Sequence, residues 1–187
     1  MNVALRPWTT AMFLGWEARQ EQRHEFDGVR PIAMAGGTAH AAIQRNLITA
    51  LGNALRDKPC QPYGSELKIA VADHSIRYPD AFVACTPIPP AATVVYDPVV
   101  VFEIVSDSSV KTDLVTKNAE YRATPSVLRY VVLQQAEAMA TVFVRKGEDW
   151  VMQPLAGADT ILAMPEIDAT IAMADVYHRV VFEDVVS

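Results

Sequence analysis

The chain has 187 residues, of which 51% are hydrophobic, 20% are charged and only 8 are glycine. That composition suits one packed domain over residues 1–187 and argues against a disordered or fibrous chain. A formal net charge of −6 argues against a module that holds nucleic acid through its overall field, while leaving room for an enzyme with a local basic groove beside an acidic metal site.

In chain order, Thr9 or Thr10 can cap a first helix running to about Arg19. Asp27-Gly28 between two short extended runs predicts a hairpin, because such turns need positive φ. Thr38 is the expected cap of a second helix, in which Ile43, Leu47, Leu51, Ala54 and Leu55 recur at helical spacing and which Pro59 should stop. Strands are expected at Leu67–Val71 and Asp80–Cys85, and the proline-rich stretch 86–98 reads as a loop. Val99–Val105 is apolar on both faces, the pattern of a central strand covered from two sides. A helix from Ser108 or Ser109 to about Ala123 should end before Pro125. Leu128–Leu133 is another buried strand, Thr141–Val144 and Trp150–Gln153 pair around Lys146-Gly147, and Ile171–Tyr177 reads as a short helix. The order is that of an α+β protein: a mixed, largely antiparallel sheet flanked by helices.

No apolar run approaches the roughly 18 residues of a membrane span, and the N-terminal stretch is broken by Arg6 and Pro7, unlike a signal peptide. Cys60 and Cys85 form no CxxC pair and read as two lone thiols acting as small apolar residues. The expectation is a cytoplasmic protein with no membrane partner.

Glu103 is the most informative residue. A lone carboxylate inside VVVFEIV loses hydration at a cost of several kcal/mol, so it needs a cation, a proton or a rich set of donors. One reading is a salt bridge or a core acid with a raised pKa; the other is a metal ligand. Asp80, after Pro79 at the head of an apolar run, can lie on a neighbouring strand. Two such carboxylates without an arginine in either run suit a hard cation, and Mg²⁺ accepts few protein carboxylates while keeping waters and phosphate oxygens.

Tyr78-Pro79-Asp80, followed by Val101-Phe102-Glu103-Ile104-Val105-Ser106, resembles the Uma-type restriction endonuclease family, a bacterial branch of the PD-(D/E)XK nuclease superfamily. The likeness extends to Glu25-Phe26-Asp27-Gly28, to His40 at the start of a helix, to Asp113, Lys117 and Tyr121 on the helix after the Glu103 strand, and to Leu128–Val132. No one of these motifs is specific; their order and spacing are. The resemblance implies a restriction-endonuclease-like fold, DNA as partner, and phosphodiester hydrolysis dependent on Mg²⁺ with Mn²⁺ as substitute. It also implies Asp80 and Glu103 as metal-binding catalytic carboxylates, and by analogy a homodimer.

One slot departs from the superfamily pattern. A lysine is expected two positions after the acid, where this chain has Val105. Lys117 is the family's alternative source of that charge, and Lys68 is a second candidate. Each supporting residue also has a plain reading: Glu25 a solvated hairpin charge, His40 a surface residue, Asp113 and Lys117 a helix ion pair, Tyr121 simple packing. Two further functions compete: a catalytically inactive scaffold that keeps the fold, and a metal-dependent hydrolase of another substrate.

Overall fold

The computed structural model describes residues 8–33, 37–72, 75–106 and 113–182. In chain order the elements are α1 (Thr10–Glu17), β1 (His24–Phe26), β2 (Pro31–Ala33), α2 (Thr38–Ala54), β3 (Gln61–Gly64), β4 (Lys68–Ala70), β5 (Ile76–Arg77), β6 (Ala81–Ala84), β7 (Val94–Val95) and β8 (Val100–Val105). A π-helical turn (Asp113–Lys117) leads into α3 (Asn118–Ala123). Then come β9 (Arg129–Gln134), β10 (Met139–Lys146), β11 (Asp149–Ala156), β12 (Ile161–Met164), β13 (Ala169–Ala172) and α4 (Met173–Val176).

Six strands form the main sheet in the order β11-β10-β9-β8-β6-β3, antiparallel throughout except for β8 beside β9. A parallel pair needs a crossover, and the turn and α3 lie in the chain between these two strands. A five-stranded sheet, β2-β1-β5-β4-β7, and a β12-β13 hairpin complete the architecture. The fold is therefore α+β with largely antiparallel sheets flanked by helices.

All six residues of β8 are buried, as its two apolar faces require. Val100, Phe102 and Ile104 pack with Ile43, Leu47 and Leu51 of α2. Val101 and Val105 share the opposite cluster with Phe82, Tyr121 and Tyr130. Side chains alternate faces along a strand, so Glu103 belongs to the second face, beneath α3.

Local chemistry explains most boundaries. Thr9 caps α1, its hydroxyl accepting the Met12 N–H at 3.2 Å. In the first hairpin the Asp27 carboxylate accepts N–H groups of Val29 and Arg30 at 2.9 and 2.7 Å, and Gly28 takes φ 86°. Three expectations need correction. The cap of α2 is Gly37, in extended conformation, and Thr38 is the first helical residue. That helix ends at Ala54, ahead of Pro59, which is therefore not its stop. Within 86–98, Val94–Val95 form a strand parallel to β4. The expected start of the third helix at Ser108 or Ser109 lies outside the described residues.

The cysteines also differ from expectation. The antiparallel register Gln61↔Ala84 continues outward to Cys60 opposite Cys85, and the two are joined in a disulfide with Cα atoms 3.8 Å apart. The bond clamps edge strand β3 to β6. Closing a loop with a sequence separation of 25 restricts the unfolded chain, worth about 3 kcal/mol. Reduction should lower the melting midpoint accordingly; equal melting curves with and without reductant would show that the clamp adds nothing. Among the described residues, no helix is long and apolar enough to cross a membrane.

Candidate active site

The β6–β8 register pairs Ala81 with Phe102. One step further along, Asp80 faces Glu103, whose side chain falls on the sheet face covered by α3. Both residues are buried, at 6% and 4% exposure. Asp80 Oδ2 accepts the Ile104 N–H at 2.6 Å, which locks the carboxylate to the neighbouring strand. Its Oδ1 lies 3.0 Å from Nε2 of His40, in the first turns of α2. Gln44, one helical turn on, donates to the Asp80 carbonyl at 2.8 Å.

Glu103 is held from α3 and the turn before it. Its Oε1 takes the Lys117 ammonium at 3.1 Å and the Tyr121 hydroxyl at 2.7 Å. Lys117 and Tyr121 are four apart, so one helix face delivers both. The same ammonium lies 3.2 Å from Glu25 Oε1 on β1, which also accepts the Tyr78 N–H at 3.1 Å. Glu25 Oε2 meets Arg77 Nη1 at 3.3 Å, and Arg77 grips Glu120 of α3 with two bonds of 2.7 and 2.6 Å.

Burial of the Glu103 carboxyl pushes its pKa up to about 8; Lys117 opposes the shift, and Asp80 and Glu25 reinforce it. The hydrogen bond to Asp80 raises the pKa of His40 above its ordinary value, against burial. Burial, followed by the charge of Glu103, pushes the Tyr121 phenol well up, so it remains a donor. Within this network Glu25, Asp80, Glu103 and Glu120 face the permanent cations Arg77 and Lys117.

The structure thus brings Asp80, Glu103, Lys117, Glu25, His40 and Tyr121 together. His40 is mostly buried rather than a surface residue, and Lys117 is bound to two carboxylates rather than standing in a solvent-exposed pair. The side chain of Asp113 lies outside the described residues. Lys68 is a correction: its ammonium is buried 2.6 Å from Glu17, whose other oxygen accepts the Tyr78 hydroxyl at 2.9 Å. That ion pair commits the Lys68 charge to Glu17. Arg77 and Glu120 are additions that sequence reading did not single out. Arg77 carried a signal, standing just before Tyr78-Pro79-Asp80 in a buried run where a guanidinium must have partners. Among the described residues, no group of three or more His, Cys, Asp or Glu side chains is arranged to hold a metal ion.

A mixed sheet with facing carboxylates at its centre and a lysine reaching in from the next helix defines a restriction-endonuclease-like protein. The family model of Uma2, described as "Putative restriction endonuclease", matches residues 10–174, and the chain belongs to that family. It is 27% identical over 175 residues to the uncharacterized protein slr1290 of Synechocystis, with 91% of each chain covered. It is also similar in fold to a crystal structure from Anabaena variabilis described as a putative nuclease belonging to DUF820. That likeness has a TM-score of 0.76 at 18% identity, over 94% of this chain and 100% of the other.

Proposed function

We propose that the chain is a Mg²⁺-dependent endonuclease that hydrolyses DNA phosphodiester bonds, with Asp80 and Glu103 as metal ligands and Lys117 as the catalytic cation. The observation that carries this reading is Lys117: Val105 fills the slot where the superfamily places its lysine, yet an ammonium still stands 3.1 Å from Glu103. The family description and the nuclease named in the Anabaena structure support the same reaction class.

The donor set fits Mg²⁺. Two facing carboxylates match an ion that takes one or two protein carboxylates and fills its remaining positions with water and phosphate oxygens. Both hydrogen bonds to the Glu103 carboxylate converge on Oε1, so Oε2 is the oxygen that accepts none among the described residues. Bound Mg²⁺ supplies polarisation of the phosphate and a water of lowered pKa. The chain's own part is to fix that chemistry in place. The Ile104 N–H holds Asp80 in register, Tyr121 orients Glu103, and Lys117 places positive charge where phosphate charge develops. His40, 3.0 Å from Asp80 Oδ1, holds that carboxylate from the side of α2. DNA as substrate puts this work in the cytoplasm, where the Cys60–Cys85 bond would meet a reducing environment.

The test is nicking of supercoiled plasmid with Mg²⁺ or Mn²⁺ and with chelator, alongside calorimetric Mn²⁺ titration. Asp80→Ala should lose both nicking and metal binding. Metal binding without nicking of any DNA would point to another substrate. Wild-type protein that binds no divalent ion would remove the enzyme reading and leave a scaffold.

A further inference from the structure

We infer that Arg77 and Glu120 form a positioning pair that holds Lys117 in place, a role that rests on the nuclease reading for its catalytic consequence but not for its geometry. The Arg77 side chain is 3% exposed and uses all three of its nitrogens. Nε and Nη2 fork onto the two oxygens of Glu120, and Nη1 reaches Glu25 Oε2. Glu25 is thereby turned so that Oε1 meets Lys117 at 3.2 Å. Ser75 adds a bond to Glu120 Oε1 at 3.2 Å.

The pair acts on Lys117 from two directions. Glu120 lies one helical turn after Lys117 and immediately before Tyr121, so docking Glu120 on β5 fixes the helix that carries both donors to Glu103. Glu25, oriented by the same guanidinium, holds the ammonium from the other side. Only arginine has the planar fork for one carboxylate with a third nitrogen left for another. A lysine at 77 would keep the charge and lose that geometry. Sequence does not place the partners together: Arg77 and Glu120 are separated by 43 positions.

Two readouts test the inference in Arg77→Lys, with Glu120→Gln as the milder variant in case the first fails to fold. The ammonium ¹⁵N–¹H signal of Lys117 in metal-free protein, identified by its loss in Lys117→Met, reports whether the group is held. It should be sharp in wild type and broadened by exchange in both variants, while their backbone spectra remain folded. In plasmid nicking, kcat should fall about 100-fold, as expected for a misplacement near 1 Å. KM and Mn²⁺ affinity should stay within about twofold, because Asp80 and Glu103 remain. A merely structural role would lower the melting midpoint and leave the Lys117 signal of the folded fraction intact. A sharp Lys117 signal in folded Arg77→Lys overturns the proposal. Failure of wild type to nick DNA would instead remove the nuclease reading, and the ammonium signal would still decide the positioning.

Discussion

Lys117→Met should lower plasmid nicking by about 10²–10³-fold, the usual cost of removing a preorganised group that stabilises transition-state charge. The protein has no substitute at the customary slot. Val105 is 1% exposed and packed with Phe82, Tyr121 and Tyr130, so the strand cannot present a cation there. Lys68, the other candidate, is committed to Glu17. Methionine keeps the length and apolar stem of lysine, so the helix should still dock. The metal should respond in the opposite direction. Lys117 bonds Glu103 Oε1 and leaves Oε2 for the ion, but its positive charge repels a cation bound beside it. Calorimetry should therefore find Mn²⁺ affinity retained or increased in the variant that no longer nicks. Full nicking by folded Lys117→Met would take Lys117 out of the mechanism.

The fold was legible where the pattern was long and two-faced. Val99–Val105 announced a buried central strand because every position is apolar except Glu103, and β8 occupies that stretch with both faces covered. The β10–β11 hairpin was legible through Lys146-Gly147, and Gly147 takes φ 65°. The short strands β3 and β7 were not legible. Gln61–Gly64 contains both a proline and a glycine and exists through pairing with β6, where its edge position tolerates Pro62. Val94–Val95 sits among prolines and is ordered by β4. Such pieces have no period to read; long-range partners create them.

For the site, burial was the readable quantity. Asp80 and Glu103 stood out as carboxylates in apolar runs, and register then placed them face to face. Family likeness, rather than the spacing of Lys117 itself, pointed to that residue, since a lysine four after an aspartate usually marks a helix surface. Glu120 gave no sign at all: in a short helix with charged neighbours it reads as solvent-facing, and only the fold brings Arg77 to it. The disulfide escaped for the same reason, because neither cysteine carries local spacing and the β3–β6 register is what aligns them.

Glu103→Gln should make the metal-free protein more stable than wild type by a few kcal/mol near pH 8, with the gap closing toward pH 5. The folded carboxyl titrates at about 8, against an ordinary value of 4.5. Between those values the native state holds a proton that the unfolded chain has released, so wild-type stability falls as pH rises, by about 1.4 kcal/mol per unit of difference. Glutamine is neutral at every pH and nearly the same shape, so it escapes this loss. His40, whose pKa is also raised, loses stabilisation in the same direction as pH rises through its folded value, but it does so in both proteins and drops out of the difference. Divalent metal should invert the order. Wild type gains RT ln(1 + [L]/Kd), about 2.7 kcal/mol at a hundredfold excess over Kd, whereas the variant has lost a ligand oxygen of full charge. Urea unfolding at pH 5 and pH 8, each with chelator and with Mn²⁺, gives all four stabilities. If Glu103→Gln instead unfolds the metal-free protein and leaves Mn²⁺ affinity unchanged, Glu103 is a structural acid of the core, and the ion must be sought elsewhere.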